Sequence, residues 1–122
     1  MEKFKTLNVY QRALKYSVSV RKVCKGFPKE ELFGLSSQFR RAADSIVLNI
    51  AEGAGNSSKK EFARFLDFSI RSGFECLGCL DIAGTNGYII QNDFNSLSNE
   101  VNEIIAMLHG LKKSLKNNNS TI

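Results

Sequence analysis

Cys76-Leu77-Gly78-Cys79 places two thiols at the CxxC spacing used for metal binding or dithiol exchange. An exchange pair needs its first cysteine at a helix start, where the dipole stabilises the thiolate. These cysteines fall deep inside a long helical pattern, which argues against that chemistry. Zinc needs four ligands, and Cys24, Cys76, Cys79 and His109 supply a nominal set. Cys24 and His109, however, stand singly on other predicted helices, and Cys76 holds a core position. Buried packing thiols, with no metal or other cofactor, are the simpler expectation. His109, the single histidine, sits beside core positions and reads as structural, not as a general base. Nothing in the spacing of Glu52 and Glu75 fixes a carboxylate pair. With no nucleophile-base or metal constellation, the chain is expected not to be an enzyme.

A different chemistry is suggested by Gly53-Ala54-Gly55-Asn56-Ser57-Ser58-Lys59-Lys60. This stretch lacks the spacing and the preceding strand of a phosphate-binding loop. Its lysines do flank the amides that open the next helix, an arrangement suited to one backbone phosphate. A glycine-rich turn before a capped helix is the plainer alternative. Charge points the same way. The net charge is +5, and residues 3–29 carry eight Lys or Arg and no acid. Lys59-Lys60 and Lys112-Lys113 with Lys116 form further clusters. Such asymmetry suits a polyanion such as RNA or DNA, although a solvated basic face would look alike.

The elements that must position these residues are helices. At 122 residues, 43% hydrophobic and with one proline, the chain has the length and composition of one helical domain with a real core. No apolar run approaches the ~20 residues needed to cross a bilayer. Met1-Glu2-Lys3-Phe4 lacks a signal-peptide pattern, and three cysteines are an odd number; both lead to the expectation of a cytoplasmic protein. A first helix is predicted from about Asn8 to Lys25, burying Val9, Ala13, Tyr16, Val20 and Val23. A second runs through residues 35–53 with Ser36 as its N-cap. The third starts at Ser58, where Ser58-Lys59-Lys60-Glu61 fits a capping box, and buries Phe62, Leu66, Ser69, Gly73, Cys76, Leu80 and Ala83. The fourth begins near Asn92 and buries Phe94, Leu97, Val101, Ile104, Leu108, Leu111 and Leu115. A polar, frayed tail is expected from about Asn117. Short connections between four amphipathic helices predict an all-α, antiparallel up-down-up-down four-helix bundle spanning 1–122 as a single domain.

Within the second helix, Leu35, Phe39, Ala42, Ala43, Ile46, Ile50 and Gly53 share one face. Arg41, Ser45, Leu48 and Glu52 fall roughly opposite. Leu14 and Val18 likewise lie on the polar side of the first helix. Apolar residues beside Arg41 and Glu52 on outward faces favour a subunit contact, with Arg64 or Arg71 as a basic partner for the glutamate.

Several segments resemble one bacterial family, related to proteins encoded by intervening sequences in 23S ribosomal RNA genes. The matching residues are Phe27-Pro28 with Glu31, Phe33-Gly34-Leu35, Gln38 and Arg40-Arg41-Ala42-Ala43. They continue through Ser45-Ile46, Asn49-Ile50-Ala51-Glu52-Gly53, Glu61-Phe62, Phe65-Leu66 and Gly87-Tyr88. Arg71 departs from the pattern, standing where the family often carries glycine before a serine. The resemblance implies a four-helix bundle that forms homo-oligomeric rings, pentamers in particular, with a basic surface for nucleic acid. Distantly similar bundles serve as accessory proteins to retroelement reverse transcriptases, and no enzymatic reaction is implied.

The leading expectation is a non-enzymatic, oligomeric nucleic-acid-binding protein, for RNA more than DNA. Lys15, Arg21, Lys22, Lys25, Lys59 and Lys60 are its candidate phosphate contacts. Leu14, Val18, Arg41, Ser45, Leu48 and Glu52 are its candidate oligomer contacts. The alternative is a protein-interaction scaffold docking an acidic partner such as a reverse transcriptase.

Overall fold

Four amphipathic patterns of this length can bury their apolar stripes only against one another, and the computed structural model, describing residues 3–56 and 58–120 with side chains through Lys116, shows that solution. The helices are α1 (Asn8–Cys24), α2 (Leu35–Ala54), α3 (Lys59–Thr85) and α4 (Gln91–Ser120), with short 3₁₀ turns at Lys3–Thr6 and Lys29–Glu31. Among the described residues there is no strand. Each helix packs on its neighbours in the chain, and α1 also meets α4, which closes an antiparallel bundle. The polar tail expected from about Asn117 lies, in its side chains, outside the described residues; the α4 backbone continues through Ser120.

One continuous core runs through all four helices. The α2 face predicted from spacing is buried along its full length, from Leu35 to Gly53. Along α3 the buried positions follow the predicted stripe from Leu66 to Ala83, with Phe62 partly covered at its start. At the end of α1 the buried residue is Cys24; Val23 is only partly covered. Phe27, in the turn beyond the helix, is buried beneath Tyr88 with ring centroids 6.0 Å apart.

The start of α2 differs from the expectation. Gly34 holds the N-cap position, and Ser36 is buried one residue inside the helix. The capping oxygen comes from the preceding 3₁₀ turn: Glu31 Oε1 accepts from the Leu35 amide at 3.0 Å. A carboxylate at a helix amino end is favoured by both the free amides and the dipole. Glu31 also holds the last connection in place, because its other oxygen accepts from Tyr88 Oη at 3.2 Å. Ser58 caps α3 as expected, accepting from the Glu61 amide at 3.2 Å. The Glu61 side chain turns to Arg64, so the reciprocal half of the predicted box is spent on an ion pair.

Helices α2 and α3 share the most extensive interface. Gly53 lies against Phe62 and Phe65 there, and a Cβ at position 53 would stand 2.6 Å from Phe65 Cβ. Gly73 gives α4 the same close access, since a Cβ at that site would meet Ile105 Cγ1 at 2.7 Å. Polar atoms in this seam are matched: Ser69 Oγ donates to the Ile46 carbonyl at 3.0 Å. Ser72 Oγ bonds to Ser45 Oγ at 2.8 Å. Arg71 is exposed beside the Phe68 ring, so the close approach of helices uses Gly73 and not that position.

Candidate nucleic-acid interface

The three thiols are buried in the bundle, while His109 is exposed near its end. Among the described residues, no three His, Cys, Asp or Glu side chains gather in a way that would hold a metal. Burial raises the Cys24 and Cys79 pKa to about 11 and pushes Cys76 higher still, because a thiolate loses its hydration there. At pH 7 a pKa of 11 leaves about 300-fold less thiolate than an ordinary cysteine has. The folded protein is therefore expected to react with a thiol reagent at least about 100-fold more slowly than after denaturation. A stopped-flow assay with an aromatic disulfide reads this, and fast labelling of even one thiol in the folded state would contradict it.

The cations of the chain fall into two groups, those matched by acids and those left open. Arg12, not singled out by sequence, reaches Glu100 at 2.7 Å and Glu103 at 2.9 Å, joining α1 to α4. Arg21 makes a two-pronged contact with Asp44, both prongs at 2.7 Å. The guanidinium and Ser17 hold the Asp44 carboxyl below the usual carboxylate range. Arg21 is thus engaged inside the chain, which sets it apart from the other candidate phosphate contacts. Arg64 is taken by Glu61 and also lies over the Phe65 and Phe68 rings, at 5.0 and 5.1 Å from their centroids. Lys112 pairs with Asp67 at 2.7 Å. By contrast, Lys15, Lys22, Lys25, Lys59 and Lys60 make no ion pair among the described residues. Sequence spacing signals only the Glu61–Arg64 pair, three residues apart on α3; the acids that take Arg12, Arg21 and Lys112 lie on other helices.

The structure does not gather the open lysines in one place. Lys15 and Lys22 border a cleft of about 800 Å³ between α1 and α4. Arg12, Asp93 and Glu100 share its lining; Arg12 and Glu100 pair with each other, and Asp93 offsets part of the remaining positive charge. Lys59 and Lys60 lie at the other location, a groove of about 450 Å³ where the start of α3 meets the end of α4. Lys112, Lys113, Lys116 and His109 line its opposite wall, Ala63 and Leu115 add apolar surface, and no acid lines it. The two lysine clusters read separately along the sequence thus face one another.

The candidate oligomer contacts are partly dispersed. Leu14, Val18 and Leu48 are exposed, Leu48 to 63%, and Arg41 and Glu52 are exposed as well. Ser45 faces the α2–α3 seam through its bond to Ser72. Glu52 lies near enough to Arg64 to act on it electrostatically, although Glu61 holds the direct bond. Phe33, 92% exposed on the approach to α2, is a further apolar group on this side of the sequence. It borders a hollow with Gln38, Arg41 and Glu75; Gln38 Nε2 donates to Glu75 there at 3.3 Å.

Comparison with known proteins matches residues 5–110 to the profile of the 23S rRNA-intervening sequence protein family. The chain belongs to this family. The crystal structure of a protein of unknown function from the S23 ribosomal protein family of Bacteroides thetaiotaomicron has the same fold, with a TM-score of 0.80 at 24% identity. The match covers 86% of this chain and 98% of that one. No curated protein matches the chain significantly. No helix among the described residues is long and apolar enough to cross a membrane.

Proposed function

We propose that this 23S rRNA-intervening sequence family protein is a non-enzymatic, homo-oligomeric protein of the bacterial cytoplasm that binds nucleic acid, RNA in preference to DNA, through a basic surface. The observation that carries this reading is the division of charge. Asp44, Glu61, Asp67, Glu100 and Glu103 are absorbed by Arg21, Arg64, Lys112 and Arg12. Lys15, Lys22, Lys25, Lys59 and Lys60 make no ion pair among the described residues. Surface ammonium groups of this kind release condensed counterions from a phosphate backbone and read little base sequence. Exposed Leu14, Val18 and Leu48 support self-association, as a pentameric ring or another closed assembly, since several apolar groups on neighbouring helices suit a subunit contact.

Fluorescence anisotropy with a structured RNA and a matched DNA duplex, at about 50 and 200 mM salt, tests the reading. RNA binding that weakens at least about 30-fold between these salt levels is expected. No binding to either at low salt would overturn it and leave a protein-docking role. Exposed Phe33 and Leu48 favour that second reading, with Arg41 between them in sequence.

A further inference from the structure

The lysine groove between α3 and α4 has properties that the rest of the basic surface lacks. Two helices distant in sequence supply it, Lys59 and Lys60 from one and Lys112, Lys113 and Lys116 from the other. Two acids bear on it, and both are occupied: Asp67 by Lys112, and Glu61, whose charge reaches Lys60, by Arg64. Lys59, Lys60, Lys113 and Lys116 form no ion pair among the described residues. The positive end of the α3 dipole lies at the same point, reinforcing their field. The α1–α4 cleft is larger, yet Asp93, which makes no ion pair among the described residues, shares its lining with Lys15 and Lys22. A polyanion gains most where like charges converge on a concave, acid-free wall.

The groove is also not purely ionic. Ala63, Leu115 and the lysine stems give it an apolar lining. Paired bases inside a duplex cannot reach such a surface, whereas an unpaired strand can lay a ribose or base against it while its phosphates meet the ammonium groups. We propose that this groove is the principal nucleic-acid seat of the protein and takes an unpaired strand, with the α1 lysines peripheral. The proposal rests on the nucleic-acid reading above and locates it.

The test compares three full-length proteins on a single-stranded RNA and a duplex of equal length. They are the wild type, a groove variant (Lys59→Glu, Lys60→Glu, Lys113→Glu, Lys116→Glu) and an α1 variant (Lys15→Glu, Lys22→Glu, Lys25→Glu). The groove variant is expected to lose about 100-fold or more in single-strand affinity at about 50 mM salt, and the α1 variant less than about 5-fold. Should the α1 variant lose more than the groove variant, the proposed seat is overturned while nucleic-acid binding stands. Equal or tighter wild-type binding to the duplex overturns the assignment to an unpaired strand. Absence of any wild-type binding at low salt overturns the underlying reading itself. Circular dichroism checks the fold of each variant. If the fourfold reversal unfolds, the neutral triple Lys60→Gln, Lys113→Gln, Lys116→Gln replaces it, with an expected loss of about 10-fold or more; a loss under about 3-fold overturns the seat.

Discussion

Gly53→Ala is expected to destabilise the fold by about 2 kcal/mol, while Gly78→Ala in the next helix stabilises it by about 0.5 kcal/mol. The two sites differ in what a methyl group would meet. At position 53 it would stand 2.6 Å from Phe65 Cβ and 3.0 Å from a Phe62 ring carbon. Neither Cβ can yield without moving a helix, because both are attached directly to backbone in the tightest interface of the bundle. Overpacking of this kind costs on the order of 1–3 kcal/mol. At Gly78, on the exposed side of α3, nothing lies within 4 Å of the new methyl, so only the helix-propensity gain of alanine is felt. Urea unfolding at one fixed protomer concentration compares them, since self-association adds to apparent stability. Equal shifts of the same sign at both positions would contradict the close packing of α2 on α3.

The larger loss is expected at Phe39. This ring is fully enclosed, at 0% exposure, on the α2 face that meets the other helices. Truncation to alanine removes its apolar contacts and leaves a void that a four-helix core cannot close without shifting whole helices, so about 4 kcal/mol is expected from Phe39→Ala. A domain of this size holds roughly 5–15 kcal/mol in total, so the variant should be partly unfolded at moderate temperature. Phe39→Leu, which keeps most of the volume, should lose about 1.5 kcal/mol. The ratio matters more than either value: similar losses for the two variants would mean that the site tolerates a cavity and that the core there is loosely packed.

The buried architecture was largely legible in the sequence because apolar spacing is a local signal. The stripes along α2, α3 and α4 follow it almost residue by residue, and Ser58 caps α3 where a serine ahead of a charged first turn is expected. Errors arose where the deciding partner came from elsewhere in the chain. Ser36 looked like a cap, yet the carboxylate of Glu31 takes that role from the preceding turn. Gly53 falls on the buried face as its spacing implies, but the close approach of Phe62 and Phe65 that requires a glycine there comes from α3. Ser45 belonged by angle to an outward stripe, but Ser72 draws it into the seam between helices.

The same limit governs the candidate interface. Cation clusters were visible as runs of lysine, but which of them carry free charge depends on acids placed by the fold. Arg21 appeared equivalent to Lys22 until Asp44 claimed it. Conversely, Lys59-Lys60 and Lys112-Lys113-Lys116 are more than 50 positions apart in sequence and face each other only in the bundle. No periodicity reports such a convergence. Family resemblance located the fold, and the pairing of charges picks out the open lysines.

The slope of log affinity against log salt for wild-type protein on a single-stranded RNA tests the central claim most directly. Each neutralised phosphate on an unpaired strand contributes about −0.7 to that slope. Four uncompensated lysines in the groove therefore predict a slope of about −3 or steeper, falling to near zero when Lys59, Lys60, Lys113 and Lys116 are reversed. A wild-type slope shallower than about −1 would contradict the claim, because binding would then rest on something other than a basic surface meeting phosphates.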